Sequence, residues 1–409
     1  MIVAPPDLFS VDSTQVVKQF SFLFQEEKQS AQLDLQDVLK GCSSLQKYYK
    51  VKAILTQYQL NINKQFGIIE YFRQMLKAKA EKITLKFKQP AGTSRGVLKT
   101  KNSWIISMWD DENPEIVGLG EASIIENLSP EWSNHYEKIL HLHCAEYGKY
   151  EKDVYNEIPS LRFALEQAML DLKNGGKQCY FDNPFYRGDE GIRINGLIWM
   201  GEKDFMFEQI KKKLDAGFSC LKLKIGAINF QDELDLLKYI RQKFGPETLE
   251  LRVDANGAFL FADALNKLDQ LSKFDLHSIE QPIAAGQWDE MRQLCERTPL
   301  PIALDEELIG IPVEDQKMMI DNIKPQYIIL KPSLVGGFSA SNHWIHCAEQ
   351  NNVGWWITSA LESNVGLNAI AQYTASKNNP MPQGLGTGQL FENNTASTLK
   401  IVGEQLFHH

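Results

Sequence analysis

Four charged residues recur at nearly constant intervals in the second half of this chain, each directly after a short apolar run. They are Asp254 in VDANG, Glu280 in SIEQP, Asp305 in ALDEE and Lys331 in ILKPS, separated by 26, 25 and 26 residues. One strand-helix unit of a parallel barrel has about this length, so equivalent points on four consecutive strands would carry these side chains. The spacing therefore predicts that they meet at one mouth of a barrel.

Apolar runs rich in β-branched residues alternate with segments of helical periodicity over the same region, as is typical of βα units. We predict strands at 192–200, 220–225, 249–253, 276–280, 301–305, 327–330, 354–358 and, as a short eighth strand, near 384–387. The intervening helices are predicted at 203–216, 230–244, 262–274, 288–297, 312–323 and 339–351. Eight such strands close most simply into a barrel. An open doubly wound sheet is the alternative, but no glycine-rich phosphate fingerprint follows an early strand.

Composition excludes several classes of function. The chain has 409 residues, 43% apolar and 23% charged, which is the balance of an ordinary globular protein. Its net charge of −9, with no long Lys/Arg run, argues against nucleic acid as a partner. There is no apolar run of about 18 residues and no basic leader, so we predict a cytoplasmic protein with no membrane partner. Six scattered cysteines without a CxxC pair are not typical of a zinc site or a disulfide framework.

Three of the recurring residues are carboxylates that would repel one another at a shared mouth. A divalent cation between Asp254, Glu280 and Asp305 would remove that conflict, and oxygen-only ligands with room for water or substrate suit Mg²⁺. The alternative is that each acid only caps the helix that follows its strand. We favour the metal site because all three acids share one register.

Two lysines precede these acids by one predicted strand. Lys222 and Lys224 in CLKLKIG lie two residues apart, so their side chains point to the same side of a strand. In a closed barrel that side is the interior, whereas on an edge strand it would be solvent. With Lys331 across the barrel, amines would flank a metal-bound substrate on opposite faces. Such a site suits removal of a proton next to a carboxylate, because metal and ammonium groups stabilise the enolate.

A family resemblance rests on five segments at successive strands. LKLKIG, RVDANGAF, SIEQPI, PIALDE and LKPSLVGG resemble the strand motifs of the muconate-lactonizing branch of the enolase superfamily, and the likeness covers about 76–392. It implies an α/β fold, a (β/α)7β TIM-like barrel with an α+β capping domain. We therefore predict an N-terminal extension of unknown role at 1–74, the capping domain at 75–190, the barrel at 191–392 and a C-terminal segment at 393–409. Strands at 83–87, 104–108 and 117–120 and helices around 132–143 and 159–173 belong to the predicted cap.

The resemblance also implies a role for each residue of the site. Asp254, Glu280 and Asp305 would bind Mg²⁺, with Mn²⁺ as a possible substitute. Lys224 would be the acid/base, Lys331 its partner on the opposite face, and Lys222 a group that stabilises the enolate. Two further positions, Asn256 and Glu306, match residues that support the metal ligands.

Four other segments narrow the resemblance to the o-succinylbenzoate synthases. They are GTSRGVL at 92–98, INGLIW at 194–199, SALES at 359–363 and GLGTGQLF at 384–391. The implied activity is that of a carbon-oxygen lyase, which converts 2-succinyl-6-hydroxy-2,4-cyclohexadiene-1-carboxylate to o-succinylbenzoate in menaquinone biosynthesis. Ser94 and Arg95 in the cap, and Ser359 and Ser363 in the barrel, are predicted to contact this small carboxylate. A homo-oligomer is possible.

Other activities stay open at this point. An N-acylamino acid racemase, or another epimerase or cycloisomerase of the same branch, would use the same metal and opposed lysines. A Schiff-base aldolase on a barrel would use Lys224 or Lys331 as nucleophile. A barrel that only binds a ligand is the third alternative, which the cluster of three acids and three lysines disfavours.

Overall fold

The computed structural model describes residues 76–93, 96–147, 152–199 and 201–409. The predicted extension at 1–74 and the cap-loop residues Ser94 and Arg95 lie outside the described residues. The strands are β1 (Leu76–Thr93), β2 (Gly96–Asp110), β3 (Asn113–Ser123), β4 (Ile192–Arg193), β5 (Gly196–Ile198), β6 (Cys220–Lys224), β7 (Glu250–Asp254), β8 (Ser278–Glu280), β9 (Ile302–Leu304), β10 (Tyr327–Leu330), β11 (Gly354–Ile357), β12 (Leu399–Val402) and β13 (Gln405–His408). The α-helices are α1 (Tyr136–Ala145), α2 (Pro159–Lys173), α3 (Lys203–Asp215), α4 (Phe230–Lys243), α5 (Phe261–Leu271), α6 (Trp288–Arg297), α7 (Gln316–Ile323), α8 (Pro332–Val335), α9 (Gly337–Gln350) and α10 (Asn364–Ala375).

The first three strands form an antiparallel sheet in the order β1-β2-β3, covered on one face by α1 and α2. Alternate residues of β2, such as Trp104, Ile106 and Met108, are buried against these helices. Gly120 allows a close approach of sheet and helix, because a Cβ there would lie 2.0 Å from the Ala164 carbonyl oxygen. This sheet with its helices is the separate α+β unit predicted from the sequence.

Seven parallel strands, β5 to β11, lie side by side in chain order, with a helix or helices after each. In β6, Leu221 and Leu223 are buried in the hydrophobic core that contains the outer helices. Lys222 and Lys224 alternate with them and line a cavity inside the sheet. The prediction of a TIM-like barrel with a separate α+β unit is therefore confirmed, whereas the exact domain boundaries stay predictions.

The first and last predicted strands differ from expectation. The segment 192–200 contains two short strands, β4 and β5, and 384–387 holds no regular strand. Single parallel bridges instead join Gln383 to Ile194 and Gly384 to Thr358, so these two residues close the ring between β11 and β5. A 3₁₀ helix, Gly386–Gln389, follows at once. The reason lies in the sequence GLGTG, since its glycines supply no side chains to pack along an extended strand.

The predicted C-terminal segment forms a hairpin of β12 and β13, and β13 pairs with β4 in a second three-stranded antiparallel sheet. Asn393, the first residue of this segment, donates from Nδ2 to the Thr84 carbonyl oxygen in β1 over 2.8 Å. The segment therefore contacts both the barrel and the α+β unit. Within the described ranges, no helix is long and apolar enough to cross a membrane.

Candidate active site

A cavity of about 230 Å³ opens at the end of the barrel where the parallel strands finish. Lys222, Lys224, Asn256 and Lys331 line it on the side of β6, β7 and β10. The rest of the wall is largely apolar or hydroxylated and includes Val97, Leu98, Leu197, Trp199, Leu361, Ser359 and Thr387. Since Val97 and Leu98 belong to β2, the α+β unit contributes to the cavity as a cap.

The strand register places the predicted acids and lysines at the same end of the parallel strands. Lys224 pairs with Asp254 across β6 and β7, and Asp254 pairs with Glu280 across β7 and β8. The Lys222 ammonium lies 2.9 Å from Asp254 Oδ2 and also contacts Glu280 Oε2. One ammonium thus bridges carboxylates from two strands. Both carboxylates are fully buried.

The Lys224 ammonium is held by two oxygens of the next strand. It donates to Asp254 Oδ2 over 2.8 Å and to Asn256 Oδ1 over 2.6 Å. The Asn256 amide in turn donates from Nδ2 to Glu306 Oε1 over 3.0 Å. Asn256 and Glu306, predicted to support the metal ligands, therefore form a hydrogen-bonded chain that ends at Lys224.

Lys331 approaches the same group of acids from β10. Its ammonium contacts Asp305 Oδ2, where Asp305 is buried and Lys331 is partly buried. The attraction of Asp305 and Glu280 outweighs the cost of burial and raises the pKa of Lys331 above its usual value. In the same way, Asp254 and Glu280 outweigh burial to raise the pKa of Lys222. Both lysines therefore keep their positive charge at neutral pH.

The carboxylates respond to this cluster in opposite ways. Burial would raise the pKa of Asp254, but the ammonium groups of Lys222 and Lys224 hold that pKa well below its usual range. For Asp305, the attraction of the Lys331 ammonium likewise outweighs burial and lowers the pKa. Burial and the Asp254 carboxylate instead raise the pKa of Glu280 well above its usual range. Glu280 is thus the acid whose charge is least compensated.

Whether this acid cluster fits a divalent cation depends on its donor atoms. Among the described residues, no three acidic, His or Cys side chains already converge as a closed ligand group, because the acids are paired with lysines instead. Neither Glu280 oxygen, however, receives a hydrogen bond of normal geometry in the described part of the chain. Asp254, Glu280 and Asp305 offer only oxygen donors and lie within reach of shared ammonium groups. This donor set fits a hard cation such as Mg²⁺, which would replace contacts between acids and ammonium groups.

The predicted substrate contacts are placed differently from one another. Ser359 lines the cavity, and its hydroxyl shares a hydrogen bond of 2.6 Å with Thr387. Ser363 is fully buried away from the cavity lining, where its Oγ donates to Glu121 Oε2 over 2.5 Å and accepts from the Val365 amide at the start of α10. The structure thus gives Ser363 a cap-to-barrel contact, and its substrate contact stays a prediction. Ser94 and Arg95 are not described.

Sequence reasoning missed Thr387 and the apolar wall formed by Val97, Trp199 and Leu361. Thr387 lies in the segment predicted as the eighth strand. In the barrel this segment neighbours β11, the strand that Ser359 follows in the chain. Pairing those two segments would have suggested that their hydroxyls meet. No periodicity in the sequence marks the apolar wall, because its residues come from three separate parts of the chain.

Comparison with known proteins identifies the family. Residues 206–401 match the family model described as "Enolase C-terminal domain-like". An o-succinylbenzoate synthase of Desulfotalea psychrophila is 49% identical over 353 residues, which cover 78% of this chain and 95% of that protein. The chain belongs to the o-succinylbenzoate synthase family of the enolase superfamily.

A solved structure supports the assignment to this family. The crystal structure of MenC from Desulfotalea psychrophila matches with a TM-score of 0.71 and 44% identity, over 81% of this chain and 99% of that chain. A racemase is a more distant relative. The N-succinyl-L-Arg/Lys racemase of Bacillus cereus is 24% identical and covers 72% of this chain and 82% of its own length.

Proposed function

We propose that this chain is a Mg²⁺-dependent o-succinylbenzoate synthase. It would remove water from 2-succinyl-6-hydroxy-2,4-cyclohexadiene-1-carboxylate to give o-succinylbenzoate in menaquinone biosynthesis. The observation that carries the proposal is the contact between three acids and three lysines at one barrel mouth, in a chain 49% identical to an o-succinylbenzoate synthase.

Asp254, Glu280 and Asp305 would hold the cation. When bound, Mg²⁺ supplies positive charge to the substrate carboxylate and so stabilises the enolate that forms beside it. The lysines add to this charge from within the protein. Lys222 and Lys331 suit this role because the acids around them keep both as ammonium groups.

Lys224 would transfer the proton. As the free amine it takes the proton α to the ring carboxylate, and the electron pair of the C–H bond forms the enolate. When the C–O bond then breaks, the proton on Lys224 goes to the departing hydroxyl, which leaves as water, and the ring becomes aromatic. The chain of hydrogen bonds from Glu306 through Asn256 supports this assignment, because it fixes the direction of the Lys224 side chain.

The cavity wall suits the remainder of the substrate. Trp199, Leu361 and Val97 would pack against the ring and the succinyl methylenes. One hydroxyl of the Ser359–Thr387 pair would donate to the distal carboxylate, while the other donates to its partner. Both contacts are consistent with a small dicarboxylic acid bound between cap and barrel.

Parallel assays of the full chain test this function. We expect dehydration of the cyclohexadiene carboxylate that stops with EDTA and returns with Mg²⁺ or Mn²⁺. N-succinyl amino acids should be assayed beside it, and turnover of those alone would favour a racemase. An adduct trapped by borohydride, with activity indifferent to EDTA, would instead indicate a Schiff-base aldolase.

A further inference from the structure

Gln281 directly follows Glu280 at the end of β8 and adopts an unusual backbone conformation. Its φ of 39° lies in the left-handed region, which non-glycine residues seldom occupy, and its side chain is fully buried. Such conformations persist where the surroundings determine them strongly, often beside functional groups. This turn directs Glu280 to the barrel mouth and the Gln281 side-chain amide to the loop after β9.

The Gln281 side chain makes four hydrogen bonds, most of them to the neighbouring strand end. Its Oε1 accepts from the backbone amides of Asp305 over 3.2 Å and Glu307 over 3.3 Å. Its Nε2 donates to Glu307 Oε2 and to the Ile283 carbonyl oxygen, both over 3.0 Å. The Gln281 side chain therefore connects the residue that follows Glu280 to the backbone amides of Asp305 and Glu307.

Glu307 completes this connection. Its Oε1 accepts from the Gly286 amide over 2.8 Å, so the loop after β8 and the loop after β9 are joined through one carboxylate and one amide. Neither Gln281 nor Glu307 lines the cavity. Their contacts therefore act on the backbones that carry Glu280 and Asp305 and not on a substrate.

We propose that Gln281 is a positioning residue of the metal centre, which sets the separation of Glu280 and Asp305 before the cation binds. This inference rests on the metal site of the proposed function. A ligand pair held in place by its neighbours binds a cation more tightly than a pair that must first be brought together. Without the Gln281 side chain, β8 and β9 would still pair, but the Glu280 and Asp305 carboxylates at their ends would be free to separate.

A Mn²⁺ titration tests this role without an activity assay. The electron paramagnetic resonance signal of the free ion gives the amount that is not bound, and hence the affinity. Gln281→Leu keeps the size of the side chain and removes its four hydrogen bonds. Gln281→Asn is the second variant, because Asn tolerates the left-handed backbone but is too short to bridge both loops. We expect both variants to weaken Mn²⁺ binding by about 10- to 100-fold, the range for residues that support metal ligands.

Gln372 offers a matched control on α10. It is also fully buried, its Oε1 accepts from two backbone amides, those of Tyr180 and Phe181, and its Nε2 donates to one carbonyl and one side-chain oxygen. Gln372→Leu thus loses the same kinds of hydrogen bond far from the acids. It should bind Mn²⁺ within about twofold of the parent chain, even if its melting temperature falls.

The outcomes separate this inference from the proposed function. Parent-like Mn²⁺ binding by a folded Gln281→Leu, or by Gln281→Asn if the Leu variant does not fold, would overturn the positioning role alone. An equal loss of binding in Gln372→Leu would overturn it too, since the effect would then be one of general stability. If the parent chain itself binds no Mn²⁺, the metal site of the proposed function fails.

Discussion

Lys224 and Asp254 end neighbouring strands in register, and the lysine ammonium donates to Asp254 Oδ2 over 2.8 Å. The residue proposed to move the proton therefore shares a hydrogen bond with a residue proposed to hold the cation. A cation at Asp254 would compete with Lys224 for the same oxygen. Metal binding and release of the base are thus coupled through one carboxylate.

Replacing the base should strongly lower turnover without abolishing metal binding. We expect Lys224→Ala to lower kcat by about 10²- to 10⁴-fold, the usual contribution of a general base. Mn²⁺ should bind at least as tightly as to the parent, because a competing ammonium has gone. Lys211→Ala, at an exposed position of α3, is the control. A Lys224→Ala enzyme with parent-like kcat would rule out this lysine as the base.

Glu280→Gln should separate stability from metal binding. Burial and the Asp254 carboxylate disfavour a charge on Glu280, so a neutral amide should leave the metal-free melting temperature at or above that of the parent. The same change removes a charged ligand, so Mn²⁺ affinity should fall by more than about 100-fold. That loss exceeds the one typical of residues that only support the metal ligands. Glu296→Gln, exposed on α6, should change neither quantity. Retained affinity would remove Glu280 from the ligand set.

Glu362 should make folding stability depend on pH. It is fully buried, where its Oε1 accepts from Ser333 Oγ over 2.5 Å and its Oε2 accepts from the Ala360 amide over 2.6 Å. Burial raises its pKa, and the nearby Lys101 ammonium offsets this only in part. The folded chain then holds a proton that the unfolded chain releases near pH 4.3, so this contribution to stability is present below about pH 4 and is lost as pH rises towards the folded pKa.

Urea unfolding of Glu362→Gln across pH 4 to 8 measures this effect. The amide cannot ionise, so the variant should gain stability relative to the parent as pH rises. Glu112→Gln, exposed between β2 and β3, should track the parent at every pH. A constant difference between Glu362→Gln and the parent would contradict the raised pKa.

Glu121 forms hydrogen bonds that join the cap to the barrel. Its Oε1 accepts from the Ser363 amide over 2.8 Å, and its Oε2 accepts from Ser363 Oγ over 2.5 Å and from the Gly366 amide over 2.9 Å. Glu121→Ala leaves these buried donors at the start of α10 without an acceptor and should lower the free energy of unfolding by about 3 kcal/mol. Glu121→Gln, which keeps one acceptor oxygen, should lose less. Equal losses in the two variants would show that the oxygen acceptors do not matter.

Local patterns in the sequence were sufficient to predict the barrel and the position of its acids and lysines at one mouth. The two-residue period of Lys222 and Lys224 predicts one shared face, and the structure has both on the cavity side of β6. The constant spacing of Asp254, Glu280 and Asp305 similarly predicts one mouth. These features depend on strand geometry alone, which is why they can be read without knowledge of tertiary contacts.

Contacts between distant segments could not be read in this way. No local pattern marks the hydrogen bond between Ser363 and Glu121, because Glu121 precedes Ser363 by 242 residues and lies in the cap. The role of Gln281 depends on the direction of one side chain after a left-handed turn, which the motif EQP does not reveal. Gly384 joins the barrel through a single bridge, too short to leave a periodic signal.

The two-residue closure by Gln383 and Gly384 has a consequence for how the protein is made. Every other strand of the ring is synthesised earlier, so a nascent chain carries two open sheet edges, on β5 and β11, until this segment leaves the ribosome. The hairpin of β12 and β13, which seals β4, is made later still. Barrel closure therefore cannot precede synthesis of Gln383 and Gly384, and until then the edges of β5 and β11 are open to pairing with other chains.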